Sequence, residues 1–309
     1  MIYDLSIIIP FYNSKKFIEK SLRNSLEISK TNSNVEIIYI NNNSNDGFEN
    51  ILKKKIKNLR NIKIFTTDKS KGIGPGIARN LGIKKTNSNL IMFLDIDDLI
   101  QTKYLTKLIR YCKNFKNNFI YLNIKSNKQI SPYIKYNKKN LRKFFRNSNN
   151  MMVIGKIFKK QFLVKNNLTF SKNIFEDIFF IFKCHYYNNK KINYFAKNVY
   201  VKVDNPGSIT NTKKTLNHIK CKFEAFEAIK FFLKKKNLRI YNDLYKDIQY
   251  RFRGEFSNEY QNIISSNLKR QSKELFVSFT KKLYKNSIDK NFTIVTKKDR
   301  IVKKILFNV

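Results

Sequence analysis

The chain has 309 residues, which suits one large domain or two smaller ones with a buried core. It carries 63 Lys and Arg residues against 22 Asp and Glu residues, a formal net charge of +41, yet 42% of it is hydrophobic. This composition excludes a disordered polymer. The sequence has no apolar run near the roughly 20 residues that a membrane-spanning helix needs and no signal peptide, so we expect a cytoplasmic protein.

Short apolar runs alternate with helical patterns over the first hundred residues. The runs span residues 5–10, 35–40, 62–66 and 90–95, and they predict strands buried on both faces of a parallel sheet. The helical patterns follow Ser14, a candidate cap, then Asp46, and then the glycine-rich residues 72–76. This alternation indicates right-handed βαβ units and an open α/β sheet, with ligands at the carboxyl ends of its strands.

The remaining two thirds of the chain have a different organisation. Residues 151–158 and 192–203 predict strands that flank a helix near residues 176–187. From about residue 215 onward the pattern is helical and strongly basic.

Three carboxylates follow the fourth apolar run, in the segment LIMFLDIDD. Asp95, Asp97 and Asp98 repel one another unless a positive group lies among them, and Mg²⁺ or Mn²⁺ takes such oxygens and bridges to substrate phosphates. The alternative is turn chemistry, since Asp starts turns and caps helices. A second acidic pair, Glu176 and Asp177, begins a helical pattern, which fits either N-terminal capping or a general base beside an apolar wall.

Five segments follow one another in a recognisable order: LSIIIPFYNSKKFIEKSLRNSL, VEIIYINNNSNDG, GIGPGIARNLGIKK, LIMFLDIDD and FEDIFF. Together they resemble the successive blocks of the GT-A, family 2 glycosyltransferases, strongly over residues 4–100 and moderately over 150–210. The resemblance implies a Rossmann-like GT-A fold, with a mostly parallel sheet flanked by helices and a helical C-terminal region. It divides the chain into a catalytic domain, 1–214, and a basic helical region, 215–309. Within the first, 1–100 form the nucleotide-sugar-binding half and 101–214 the acceptor side.

The resemblance also implies which residues bind the donor. The nucleotide is expected to lie where the first strand ends, and the base beside the end of the second strand. Many members carry two acids where this chain has Asn41–Asn42, and an amide both donates and accepts, so the base stays open. The implied donor-binding residues are Pro10, Tyr12, Asn13, Asn42, Gly74, Arg79, Asn80 and Asp95.

The acidic residues take the chemical roles by the same resemblance. Asp95 aligns with the ribose-side acid of the DxD motif and Asp97 with the ligand of Mn²⁺ or Mg²⁺, so both belong to the metal site. Asp177 aligns with the catalytic base, with Glu176 as its neighbour. The segment YVKVDNPGSIT, residues 200–210, resembles a part of the family near the active site.

These roles imply a metal-dependent, inverting hexosyl- or N-acetylhexosaminyl-transferase. The expected partners are a nucleotide-sugar donor and a glycan or lipid-linked acceptor, in the synthesis of a cell-surface polysaccharide, lipooligosaccharide or capsule. The basic charge has three explanations: compositional drift, an anionic membrane surface, or nucleic acid. We expect residues 215–309 to lie against the anionic inner face of the plasma membrane, or else to pack only on the catalytic domain.

Two other functions compete with this prediction. A nucleotide-dependent oxidoreductase is suggested by GIGPG, but the third glycine of that fingerprint falls on Ile77. A nucleic-acid-binding protein is suggested by the charge alone, and the sequence contains none of the usual motifs. No nucleic acid is therefore expected as a partner.

Overall fold

The computed structural model describes residues 3–72, 74–126, 141, 151–188, 192–205 and 215–307. The chain divides into two compact units, the first of residues 1–140 and 149–212, and the second of 141–148 and 213–309. The first unit is built around a sheet and the second is helical.

The first unit contains a mixed sheet of eight described strands. They are β1 (Leu5–Phe11), β2 (Val35–Asn41), β3 (Ile62–Thr66), β4 (Leu90–Phe93), β5 (Leu99–Ile100), β6 (Phe119–Lys125), β7 (Lys156–Lys159) and β8 (Asn193–Val201). Their order is β3-β2-β1-β4-β7-β6-β8-β5. Pairing is parallel from β3 through β4 and between β6 and β8, while β7 runs antiparallel to both of its neighbours.

The strand order reverses beside β1, which locates the site. β2 and β3 lie on one side of β1, and β4 lies on the other. Every residue of β1, β2 and β4 is buried, as expected for strands covered by helices on both faces. The carboxyl ends of β1 and β4 therefore border a crevice at a topological switch point.

Helices flank this sheet and carry some of the site residues. They are α1 (Ile18–Thr31), α2 (Phe48–Ile56), α3 (Pro75–Lys85), α4 (Leu105–Lys113), α5 (Lys160–Lys165) and α6 (Glu176–Tyr187). α1 buries Ile18, Leu22 and Ile28 against the sheet, and its polar face is exposed.

The predicted α/β fold is confirmed, with shifts at particular ends. β4 stops at Phe93, two residues before the predicted end, because the chain turns and the Asp98 N–H donates to the Asp95 carbonyl at 3.0 Å. The capping role predicted for Ser14 is wrong: its hydroxyl donates to the Tyr12 carbonyl, and α1 begins only at Ile18 after a 3₁₀ turn.

The strand predicted over residues 151–158 is also wrong, since only its end belongs to β7. Gly155 has φ +64°, a left-handed conformation that a strand does not contain. The Lys156 ammonium also donates to the carbonyls of Met152 and Ile154. Those carbonyls point at the ammonium, so residues 152–155 form a loop.

The second unit consists of α7 (Leu216–Lys236), α8 (Leu238–Ile264), α9 (Arg270–Lys285) and α10 (Lys297–Phe307), which confirms the predicted helical C-terminal region. Its core contains Ile229, Leu233, Phe252, Phe256 and Tyr284. Across the described ranges, none of the helices combines the length and the apolarity that a membrane span requires.

Candidate active site

The acidic turn after β4 lies at the switch point, and each of its carboxylates has a different partner. Asp95 Oδ1 accepts from Arg79 at 3.0 Å, and Asp97 Oδ2 accepts from the Asn205 amide at 2.7 Å. Both residues are partly exposed, and the Asp95 side chain keeps 39% of its surface open. These two carboxylates are therefore accessible to a ligand.

Asp98 points inward and closes the turn. Only 4% exposed, it accepts from the Tyr200 hydroxyl at 2.5 Å and from the Val203 N–H at 2.8 Å. Burial, followed by the nearby Asp95 carboxylate, raises the pKa of Asp98 to about 7. Asp98 thus connects the acidic turn to β8. For this residue the structure supports turn chemistry, the alternative to cation binding given above.

Arg79 connects the acidic turn to the second acidic pair. Its buried guanidinium, on α3, binds Asp95 with one terminal nitrogen and Glu176 with the other. Because a guanidinium presents its donors in a rigid fork, this pairing fixes the start of α6 beside the end of β4. The structure therefore brings together two acidic clusters that lie about eighty positions apart in the sequence.

The glycine-rich start of α3 packs against the segment before α6. A Cβ atom on Gly74 would collide with the Lys172 carbonyl oxygen, and one on Gly76 with the Ser171 carbonyl oxygen. Asn80 exchanges two hydrogen bonds with the backbone of Phe170, at 3.0 and 2.9 Å. The glycines thus allow another segment of the same chain to approach α3 closely, and the geometry favours positioning roles for Gly74 and Asn80.

Glu176 and Asp177 open α6 but face different surroundings. Glu176 is 5% exposed, and burial raises its pKa to about 7 although Arg79 opposes this shift. Asp177 is half-buried and accepts from the Val153 N–H. Burial raises the pKa of Asp177, Arg79 opposes the shift, and Asp95 reinforces it. A carboxylate with a raised pKa is suited to take up a proton near neutral pH.

Lys156 is a buried cation behind Asp177 that the sequence analysis missed. It is fully buried on β7, and its ammonium lies 4.5 Å from the centre of the Tyr121 ring. Burial lowers its pKa to about 7, while Asp177 acts in the opposite direction. The sequence signal was a single lysine inside an apolar run, VIGKIF.

The predicted nucleotide side lies at the carboxyl ends of β1 and β2. Pro10 is the penultimate residue of β1, and Tyr12 follows that strand with 46% of its surface exposed. Asn13 has φ +47°, accepts from the Asn45 N–H, and donates its own N–H to Ser44 Oγ, both at 3.0 Å. Two loops are thereby held together beside the crevice.

Asn42 is buried rather than open. It is 3% exposed, and its side-chain oxygen accepts from the Thr67 hydroxyl at 3.2 Å. Its neighbour Asn41 donates to Glu49. Of the segment 200–210, residues 206–210 lie outside the described residues, as does residue 214 at the predicted domain boundary.

The site fits a divalent cation only if substrate and water supply part of the cation's ligands. Within the described ranges, no three His, Cys, Asp or Glu side chains are grouped to hold a metal. Asp97 and Asp95 nevertheless offer accessible carboxylate oxygens, the hard donors that Mg²⁺ and Mn²⁺ prefer. Mg²⁺ commonly uses one or two carboxylates and takes its other ligands from substrate phosphates and water. The donor set agrees with that mode.

Several known proteins resemble this chain in sequence. The model of Glycosyl transferase family 2 matches residues 6–179. The cholesterol galactosyltransferase of Borreliella burgdorferi is 24% identical over 249 residues, covering 74% of this chain and 67% of its own length. The poly(ribitol-phosphate) beta-N-acetylglucosaminyltransferase TarP of Staphylococcus aureus is 26% identical over 185 residues, with coverages of 57% and 56%.

Solved structures show the same fold. S. aureus TarS in complex with UDP-GlcNAc has a TM-score of 0.71 at 20% identity, covering 94% of this chain and 82% of that chain. The mannosyltransferase PcManGT from Pyrobaculum calidifontis, with GDP-Man and Mn²⁺, has a TM-score of 0.52 at 14% identity, covering 99% and 84%. At these identities the likeness concerns the fold alone.

Proposed function

The chain belongs to glycosyl transferase family 2, and from this premise we propose that it transfers a hexosyl or N-acetylhexosaminyl group from a nucleotide sugar to a glycan or lipid-linked acceptor. Relatives named for galactosyl and N-acetylglucosaminyl transfer support this class of sugar. The relative named for poly(ribitol-phosphate) supports a cell-surface polysaccharide, lipooligosaccharide or capsule as the product.

One observation carries the proposal: Arg79 binds both Asp95 and Glu176. The pairing sets Asp177 near the carboxylates that would face a sugar diphosphate. Transfer needs a group to take the acceptor's proton and a site for the departing diphosphate. In this proposal Asp177 meets the first requirement and the acidic turn meets the second, within one crevice at the end of β4.

Each residue has a role in the proposed reaction. Asp177 takes the proton of the acceptor hydroxyl onto a carboxylate oxygen, and Val153 orients that carboxylate. Glu176 and Arg79 hold Asp177 and Asp95 in place. We propose a single displacement that inverts the anomeric configuration, the outcome implied by the family resemblance.

Asp97, with Asp95, would hold the divalent cation. When bound, Mn²⁺ or Mg²⁺ neutralises charge on the diphosphate leaving group. Asn205 orients the Asp97 carboxylate through its amide. Tyr12 and Asn13 would bind the nucleotide beside Pro10, and Asn42 shapes the floor beneath the base.

The competing functions receive less support. Gly74 and Gly76, two of the glycines that suggested an oxidoreductase, pack against the backbone of residues 172 and 171, and the family match over residues 6–179 supports a glycosyltransferase instead. That nucleic acid is not a partner stays a prediction, which filter binding to DNA at physiological salt tests. We place the protein at the inner face of the plasma membrane, with residues 215–309 as the peripheral contact.

Two substitutions test the site. We expect Asp97→Ala to abolish the thermal shift that a nucleoside diphosphate causes with Mn²⁺, because it removes the cation's carboxylate.

We expect Asp177→Asn to keep that shift but to slow donor cleavage about 10²–10⁴-fold, the usual contribution of a general base. UDP and GDP are tested in parallel, since solved relatives bind both kinds of donor.

Asp68→Ala is the matched control, because Asp68 is an exposed acid of the same unit whose carboxylate caps the Lys69–Lys71 turn. It should leave both measurements unchanged. An Asp177→Asn enzyme with full activity would contradict the role of Asp177. An Asp97→Ala protein that still shows the Mn²⁺-dependent shift would contradict the cation site.

A further inference from the structure

An apolar and basic surface lies at the start of α10, far along the chain from the catalytic residues. We call it the 294–304 patch, formed by Ile294, Val295, Lys297, Arg300, Ile301 and Lys304 around a concavity of about 590 Å³. Val295 is 79% exposed and Ile294 is 45% exposed. Large apolar side chains exposed side by side indicate a binding surface.

The exposure of Ile294 and Val295 is built into the fold. The Asp299 carboxylate accepts from the N–H groups of Val295 and Thr296, at 3.2 and 2.9 Å, and pairs with Arg253 of α8 at 2.6 Å. Arg253 also lies over the Phe292 ring, 4.5 Å from its centre. The loop before α10 is thus held by Asp299 of α10 and by Arg253 of α8. This arrangement leaves the two apolar side chains facing outward.

The α10 helix separates a basic face from a buried face. Lys297, Arg300 and Lys304 recur at helical spacing on the outward side, and none forms an ion pair with a described residue. Asp299, Val302 and Leu306 are buried on the opposite side. The patch therefore combines exposed apolar groups with cations that no described acid neutralises.

We propose that the 294–304 patch docks on a bilayer containing anionic lipid, with Ile294 and Val295 inserted among the acyl chains. Lys297, Arg300 and Lys304 would then lie at the level of the lipid phosphates. A dissolved polyanion would pair with the cations but leave the two apolar side chains in water. A second copy of the chain would bring like charges together. An anionic bilayer would contact both the apolar side chains and the cations of the patch.

This inference rests on the proposed function only for its purpose, which is to bring the enzyme to a membrane-borne acceptor. The test uses the whole protein and co-sedimentation with vesicles, either of equal parts phosphatidylglycerol and phosphatidylcholine or of phosphatidylcholine alone. We expect binding to the anionic vesicles. Replacing Ile294 and Val295 together by Ser should weaken it about tenfold, because both insertions are lost.

The basic residues are tested by a triple variant, Lys297→Gln, Arg300→Gln and Lys304→Gln. It should weaken binding about fivefold per residue, the effect of one cation near an anionic surface. Its control replaces Lys54, Lys55 and Lys57 of the first unit by Gln, which removes the same charge from another exposed surface. Val164→Ser, at a valine that is 64% exposed, controls for the apolar change.

Several results would overturn the docking. They are wild-type protein that stays in solution with anionic vesicles, a Ser double variant that binds like wild type, and equal losses in the two triple Gln variants. If the basic triple variant loses binding to duplex DNA and to anionic vesicles equally, while the Ser double variant binds the vesicles like wild type, the patch is a polyanion site instead. The thermal shift by nucleoside diphosphate with Mn²⁺ is measured on every variant. Its absence throughout would refute the proposed function and leave the docking result intact.

Discussion

Single buried residues determine how Asp177 is set up for its proposed role. Lys156 donates to two carbonyls of the 152–155 loop, and the same loop supplies the Val153 N–H that binds Asp177. The positive charge of Lys156 also lowers the pKa of Asp177 against the effect of burial. A fully buried residue thus influences both the position and the ionisation of Asp177, the proposed base.

We predict that Lys156→Met lowers kcat and moves the acidic limb of its pH profile to higher pH. Without the nearby cation the pKa of Asp177 rises further, so the carboxylate ionises only at higher pH. KM for the donor should change little, since the Lys156 side chain is fully buried. Carbonyls left without a donor should cost about 1–3 kcal/mol in the free energy of unfolding.

Lys159→Met is the matched control, because Lys159 lies on the same strand with its ammonium over the Phe115 ring, 4.8 Å from the centre. Its pH profile should equal that of the wild type. If Lys156→Met also leaves the profile unmoved and only lowers stability, Lys156 is a structural residue and not a positioning one.

His185 makes the stability of the first unit sensitive to acid. Its Nε2 lies 2.7 Å from the Tyr121 hydroxyl, and burial, with Lys156 nearby, lowers its pKa to about 3. An unfolded chain would protonate this histidine below about pH 6.5. The stabilisation of the folded state by neutral His185 is therefore complete above pH 6.5 and is lost as the pH falls toward 3.

We predict that, between pH 6.5 and pH 5, wild type loses about 2 kcal/mol of unfolding free energy relative to His185→Phe, which has no group to protonate. Urea unfolding of both proteins across this range measures the difference. Tyr121→Phe keeps the imidazole and should keep the pH dependence. Parallel curves for wild type and His185→Phe would mean that His185 is protonated in the folded state.

At the scale of elements, the α3–α6 seam assembles the site. Gly74, Gly76 and Asn80 hold residues 170–172 against α3, and Arg79 then reaches Glu176. The seam depends on the backbones coming closer than a side chain allows. A methyl group at its centre is therefore the smallest change that should open it.

We predict that Gly76→Ala destabilises the first unit by about 1–3 kcal/mol and lowers activity more than stability explains. The added Cβ would overlap the Ser171 carbonyl oxygen and lie 2.9 Å from Phe170 Cβ and 3.0 Å from Glu176 Cγ. Gly254→Ala is the control: nothing described lies within 4 Å of its Cβ position, and helical Ala is favoured by about 0.5–1 kcal/mol. Urea unfolding and donor cleavage compare them, and an active Gly76→Ala enzyme would refute the seam's importance.

The sequence predicted elements better than it predicted their partners. Local periodicity was enough for β3, which runs over Ile62–Thr66 as expected, and for α6 over Glu176–Tyr187. It could not reveal that Arg79 pairs with Glu176, 97 positions away, because that contact depends on how α3 and α6 pack. It also could not show that the lysine in VIGKIF is buried, because the carbonyls that accept hydrogen bonds from its ammonium belong to the 152–155 loop.

For the whole molecule, charge is far from balanced. The 22 acidic residues cannot neutralise the 63 basic ones, and several acids are already engaged in partly buried pairs, including Glu36 with Lys63 and Asp299 with Arg253. Most of the basic side chains therefore repel one another across the surface. Such repulsion acts over long distances and destabilises the compact state.

We predict that added NaCl stabilises the protein against urea. Raising the salt from about 0.01 M to about 0.15 M shortens the Debye length from about 30 Å to about 8 Å, which screens the long-range repulsion. The same salt weakens exposed ion pairs, but these contribute only about 0–1 kcal/mol each, so the repulsion decides the sign. Sucrose at matched osmolality should not reproduce the early rise, and the triple variant of Lys54, Lys55 and Lys57 should show a smaller one. A urea midpoint that falls as NaCl is added would mean that ion pairs outweigh the excess of positive charge.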